Sequence, residues 1–453
     1  MPERPRVLVT GVGIVSPLGP RPAFWDGLRR GASGIAPLDA FDPGPKPPRL
    51  VARVRDWQPK DHIGAASLRR MDRCSQMVVS ACRMALEDAA LALDPVDKED
   101  AGVVLGMAYG NIVETEQFLR GLLAKGPGLA NPFTFPNTVL NAATGYVAME
   151  LGLRGPNLTA CRGEASGEAA LALAYDTIAS GQADVLLAGG ADEVSPVLFH
   201  VCKDAGVLSP ADRRRGPAAS GSGPRAAGAG RGDAREWSSP FDRRRNGFVL
   251  GEGAAVLVLE TAARARARGA PVYAELVGYA SGSAPATAHG WPRPDPASAL
   301  ATAQQLSAIG WRSAGTRDGE PLPARRAAVD PSARTGDMDL VVSCANSSVH
   351  RDAFEAAQLA ALLGEAAPRT LVTSVKGAIG DFGGAGAFSA AAAVLALRTG
   401  ELPRLGTLRE ADPLCIVPLA TPATAAPARG FGAALVTGVA RGGAGVTLLF
   451  RGA

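Results

Sequence analysis

Among the 453 residues, the six cysteines (positions 74, 82, 161, 202, 344 and 415) are scattered, and no two form a C-x-x-C pair. That spacing argues against both a zinc site and a disulfide framework, so neither a metal nor a cofactor is expected. No uninterrupted run of 18 apolar residues occurs, which argues against a transmembrane helix. The opening "MPERPRVLVTGVGIVSPLG" runs straight into strand-like sequence. It has no basic n-region, no apolar h-region and no small-residue cleavage site, so secretion is not expected and a cytoplasmic location is. The formal net charge is only +4, concentrated in runs such as Arg213–Arg215 and Arg243–Arg245. Such runs read as solvated faces, or more sharply as a site for an acidic carrier, and no nucleic-acid or membrane partner is expected.

What is present is a hydrophobic content of 47% with 20% charged residues, ordinary for a globular chain large enough for a substantial core. "RVLVTGVGIV", "AGVVLGMA", "NLTACRG" and "ADVLLAGG" read as strands, and "RRMDRCSQMVVSACRMALEDAALAL" and "GYVAMELGL" as helices. A further helix is expected from about Ala165 to Gly181. "GFVLGEGAAVLVLE" reads as two hairpin-like runs about Gly251–Gly253. From Pro271 a second series begins, with strands "PVYAELVGYASGS" and "MDLVVSCANSS", the helix "RDAFEAAQLAALLG" and the closing "GVTLLFRG". Strand–helix alternation in both series implies an α/β architecture with buried sheets. "ADVLLAGGAD" and "MDLVVSCANS" occupy comparable places, a weak sign of a duplicated half. Residues 213–237 and 312–338, rich in Gly, Ala, Arg and Pro, read as surface insertions.

Five blocks in order resemble the β-ketoacyl-acyl-carrier-protein synthases. They are "VTGVGIVSPLG", "FPNTVLNAATGYVAMELGLRGPN", "GQADVLLAGGADEVSP", "SPFDRRRNGFVLGEGAAVLVLE" and "SVKGAIGDFGGAGA". The resemblance implies a thiolase fold, two similar halves in a layered αβαβα arrangement, divided here as 1–265 and 266–453. It also implies a dimer. The chemistry needs a thiolate at a helix N-terminus, where dipole and free N–H groups favour thiolate and oxyanion. Two imidazoles then stabilise the enolate left when malonyl-carrier loses carbon dioxide.

Those groups are not in register here. In the family the nucleophilic cysteine follows the Arg of the R-G-P turn by ten residues and precedes the Gly of the G-x-A-D-V strand by seventeen. Counting forward from Arg154 and back from Gly181 gives one position, occupied by Glu164. Cys161 lies three residues early and is expected to be a buried structural cysteine on the strand. The first histidine slot, matched to "CANSSVHRD" and anchored on its Asp352 and on Glu355 beyond it, falls on Cys344. The second, in "KGAIGD", falls on Asp381 and keeps Lys376. The gate motif best matches "ARGGAG", putting Arg441 in place of its phenylalanine. His62, His200, His289 and His350 offer no replacement: His289, in "TAHGWP", reads as a surface residue, and His350 as one near the start of the next helix.

A glutamate is a poor acyl carrier, because its carboxylate is a weak nucleophile and the resulting anhydride is labile. At a helix N-terminus it gains roughly 0.3–1 kcal/mol as an anion. Asp381 in the same cavity is expected to raise the pKa of one of the two acids, with Lys376 and Arg441 as neutralising partners. The pattern is similar to the chain-length factors, ketosynthase-like β subunits of type II polyketide systems that lack the nucleophile and pair with an active ketosynthase. The resemblance therefore implies a non-catalytic heterodimer partner, served by acyl carrier protein. The alternatives are a malonyl-carrier decarboxylase using Glu164, or a diverged β-ketoacyl synthase (acyltransferase) working through Cys161 or Cys344.

Overall fold

The computed structural model describes residues 4–94, 97–210, 235–287, 290–311 and 338–453. Nearly all of both expected insertions, with Arg213–Arg215 and His289, lies outside the described residues.

Among the described residues the main sheet has eleven strands, of which the two-residue Gly19–Pro20 only extends the end of β1; the other ten are β1 (Val7–Ser16), β2 (Gly102–Gly106), β3 (Asn157–Ala160), β4 (Val185–Asp192), β5 (Gly253–Thr261), β6 (Ala274–Ser283), β7 (Leu340–Val342), β8 (Leu371–Thr373), β9 (Ala433–Val439) and β10 (Ala444–Gly452). Their order is β8-β7-β9-β10-β6-β1-β5-β4-β2-β3. From its centre outward the order reads the same in each direction, first-fifth-fourth-second-third. Pairings match too: β1–β5 and β5–β4 are antiparallel, β4–β2 and β2–β3 parallel, and the second set repeats this. The two halves meet where β1 and β6 pair, Val7 opposite Leu276.

Two expectations need correction. The counterpart of β4, "VLLAGGAD", is β9 and not the "MDLVVSCANS" strand, which is β7 and corresponds to β2. Apolar runs of this kind look alike in sequence, and only their place in the sheet tells them apart. Nor do residues 247–260 form a hairpin. Gly253 leads into one continuous strand between β1 and β4, and residues 250–251 instead bridge to Asp381 and Ala52.

Six helices set the layers: α1 (Arg73–Asp88), α2 (Ala142–Leu151), α3 (Ser166–Ala179), α4 (Pro296–Ala308), α5 (Val349–Leu363) and α6 (Ala385–Thr399). Helix α1, capped by the Asp72 carboxylate on the Ser75 N–H, covers β1 and β5 from outside. Helices α4 and α5 cover the other half. Helices α3 and α6 lie together between the half-sheets, and every residue of α6 from Ala385 to Leu397 is buried. A helix apolar all round belongs in such a central layer. Its alanines and glycines allow the close approach: a Cβ on Gly167 would stand 2.7 Å from the Ala387 nitrogen.

The result is five layers, helix–sheet–helix–sheet–helix, an α/β fold. Strands β2–β4 run parallel, as do β7–β9, so the connections at their carboxyl ends gather on one side, where α/β sheets place their sites. No helix among the described residues is long and apolar enough to cross a membrane.

Candidate active site

Helix α3 follows β3, and α6 follows β8, so the turns ahead of these central helices are counterparts in the two halves. Glu164 stands in the first turn and Asp381 in the second. Ser166 shapes the first: its hydroxyl accepts from the Arg162 N–H at 2.8 Å and donates to the Gly163 carbonyl at 2.7 Å. Gly163 takes φ +56°, which favours glycine. The buried Glu164 carboxylate is thereby aimed at the β9–β10 turn.

Arg441 meets it there. Its Nε donates to Glu164 Oε1 at 2.7 Å, its Nη2 lies 2.6 Å from the same oxygen, and its backbone N–H donates to Oε2 at 3.1 Å. The side chain thus ties down the turn that carries it.

The second ion-pair group is deeper. Asp381 Oδ1 lies 2.7 Å from Lys376 Nζ, and Oδ2 accepts from Arg351 Nη1 at 2.8 Å and from Asn346 Nδ2 at 2.7 Å. Arg351 and Lys376 are fully buried. Burial alone raises the Asp381 pKa, but Lys376 and Arg351 outweigh it and leave the carboxyl below its usual range. The expected like-charge rise does not occur at Asp381, because these two cations face it.

Trp291 joins the two groups. Its ring lies 4.8 Å from the Arg351 guanidinium carbon and 5.6 Å from that of Arg441. Sequence does not mark Arg351 or Trp291 for this site: Arg351 stands beside His350 in an ordinary helical run, and Trp291 follows His289, which lies outside the described residues. Arg351 also donates to the Val439 carbonyl at 3.0 Å, at the base of the Arg441 turn.

Cys344, just past β7, is fully buried, and burial pushes its thiol up to about 12. Its N–H donates to Thr437 Oγ1 at 3.1 Å. The turn after it is held by Asp352, which accepts from the Asn346 and Ser347 N–H groups. Ser347 sits at φ +77°, a costly conformation for a serine and one fixed by those bonds.

Cys161 is exposed, not buried. Strand β3 ends at Ala160 and is the outermost strand of its half, so nothing covers the next residue. His350 is exposed at the start of α5. Arg245, expected on a solvated face, is buried and paired with Asp412. Among the described residues no group of His, Cys, Asp and Glu could hold a metal ion.

Among the described residues the arrangement puts no thiolate at the head of α3 and no imidazole opposite it. It offers two paired carboxylates, Glu164 held by Arg441 and Asp381 by Lys376 and Arg351, with an indole between the two groups.

The chain matches the Beta-ketoacyl synthase N-terminal domain over residues 4–265 and its C-terminal domain over 273–408. It is 30% identical to a 3-oxoacyl-[acyl-carrier-protein] synthase 2 of Synechocystis sp. over 91% of this chain and 90% of that protein. A Streptomyces halstedii protein named for a polyketide beta-ketoacyl synthase is 34% identical over 90% of each chain. The solved ishigamide ketosynthase/chain length factor superposes with TM-score 0.81 at 26% identity, covering 99% of this chain and 100% of that one.

Proposed function

This chain belongs to the β-ketoacyl synthase family and has its thiolase fold, and from that premise we propose that it is a non-catalytic ketosynthase-like subunit, a chain-length factor. It pairs with an active ketosynthase and shapes the cavity in which a polyketide or fatty-acyl chain grows on acyl carrier protein. One observation carries the reading: Glu164, which the family spacing puts at the nucleophile position, is bound by Arg441 through side chain and backbone. An acyl-accepting group there must be free to attack a thioester, and this one is an anion already engaged.

The surface supports a partner of similar size. Helix Ile112–Lys125 buries none of its residues. Around it and along the open edge of β3, Leu123, Leu129, Phe133, Phe135, Met149 and Leu158 are exposed. An apolar area beside an unpaired strand edge is a poor surface to leave in water and a good one to pair. A chain built on the same plan supplies a matching edge.

The enzymatic alternative draws on Cys161, which is exposed and therefore reachable, and on relatives named as synthases. It lacks an imidazole at either histidine position.

The test is elongation reconstituted with a candidate ketosynthase partner, acyl carrier protein and malonyl groups. Products are expected only from the mixture, and Cys161→Ala is expected to leave their yield and length unchanged. Loss of product in that variant would move the chemistry onto this chain.

A further inference from the structure

One helical turn past Glu164, on the inward face of α3, lies Glu168. It is fully buried, and neither carboxylate oxygen has a hydrogen-bond partner. An ionised carboxylate left so would cost several kcal/mol, so such groups change protonation state instead. Its room is made by two glycines: a Cβ on Gly386 of α6 would stand 2.0 Å from the Glu168 carboxyl carbon, and one on Gly438 of β9 would stand 2.6 Å from it. The carboxyl is therefore packed where helix α3, helix α6 and strand β9 meet, with no side-chain donor on it and only its own backbone N–H nearby.

The charged groups acting on it are Lys376, ahead of α6; Arg351, from α5; and Asp381, from the turn before α6. Cys344, beyond β7, also feels it. Both cations are already bound to Asp381. We infer that Glu168 is a proton-linked switch: an acid kept neutral in the packed interior, whose ionisation sets it against Asp381 for the same two cations.

In the neutral state the Asp381 group stays intact, and with it the Arg351 contact to Val439 that underlies the Arg441 turn. Loss of the proton to water leaves an anion beside Gly438 that repels Asp381 and draws on Lys376 and Arg351. Burial, the largest influence, pushes the Glu168 pKa up to about 7, so the change falls in the neutral range. The inference is independent of whether the chain condenses acyl groups.

The test compares thermal unfolding of the full chain with that of E168Q from pH 5 to pH 8. The folded-state pKa is raised, so the stabilisation from protonation is complete below the ordinary glutamate range and is lost as pH rises through about 7. The wild-type midpoint is expected to fall by several degrees relative to E168Q across that interval. Glu193 and Asp192, also pushed up by burial, are present in both proteins and cancel. Curves that run parallel across the interval would overturn the inference. If E168Q does not fold, E168L is read in the same way. Infrared spectra give an independent check: the wild-type-minus-E168Q difference, in which the Glu193 and Asp192 bands cancel, is expected to show a protonated-carboxyl stretch at pH 5 that fades past neutrality. A difference spectrum with no such band would overturn the inference too.

Discussion

Arg441 holds Glu164 from two directions, with its guanidinium on one carboxylate oxygen and its own backbone N–H on the other. The contact joins the head of a central helix of the N-terminal half to the β9–β10 turn of the C-terminal half. It is structural as well as electrostatic. Removing either side chain strands the other, and removing both relieves the second loss. A double-mutant cycle of Glu164→Ala and Arg441→Ala, read by denaturant unfolding, is expected to give a coupling of about 1–3 kcal/mol. Strict additivity would mean that the two residues merely adjoin.

Asp381 is the harder residue to lose. It is the shared counter-ion of two fully buried cations, and a buried charge without its partner costs roughly 3–5 kcal/mol. Asp381→Ala is expected to destabilise the chain on that scale. A loss below about 1 kcal/mol would show that Lys376 and Arg351 find other partners.

The acid side of the stability profile carries the same residue. The folded-state pKa of Asp381 is depressed, so its stabilisation is present above the ordinary aspartate value of 3.8 and is lost as pH falls through the lower folded value. The stability gap between wild type and Asp381→Asn is expected to be full at neutral pH and to shrink below pH 3.8. This is the opposite direction to Glu168. A gap that does not change on acidification would contradict the charge-based account.

Gly386 gives a prediction against helix propensity. Alanine in a helix is ordinarily favoured over glycine by about 1 kcal/mol. Here its Cβ would meet the Glu168 carboxyl, and overpacking of this kind costs about 1–3 kcal/mol. Gly386→Ala is therefore expected to destabilise by thermal unfolding, and Glu168→Ala in the same chain to reverse the effect.

Much of this was legible in sequence where the signal was local. Alternation of apolar runs and helical periodicity places most of the strands and the central helix α3, because each buries a face of its own period; α6, apolar all round, carries no such period. Two independent distances along the chain point to Glu164, and the structure sets that residue in the turn ahead of α3. Arg351 and Trp291 were not legible. They enter the site from a helix and a loop far apart in sequence, and nothing local marks an arginine for burial. Cys161 was misjudged because burial of a strand end depends on what lies beyond the sheet edge, and β3 is that edge.

The open edge of β3 leads to a prediction about assembly. Purified alone, the chain is expected to self-associate, and Phe133→Lys with Met149→Glu to reduce this in sedimentation analysis. Monomeric behaviour of the unaltered chain would remove the apolar surface as support for a partner.

The most direct measurement is intact-protein mass spectrometry after incubation with acyl- and malonyl-carrier protein, with this chain alone and with its ketosynthase. The account predicts that this chain keeps its unmodified mass throughout while the partner gains the acyl group. An acyl adduct on this chain, or unaided conversion of malonyl- to acetyl-carrier, would contradict it.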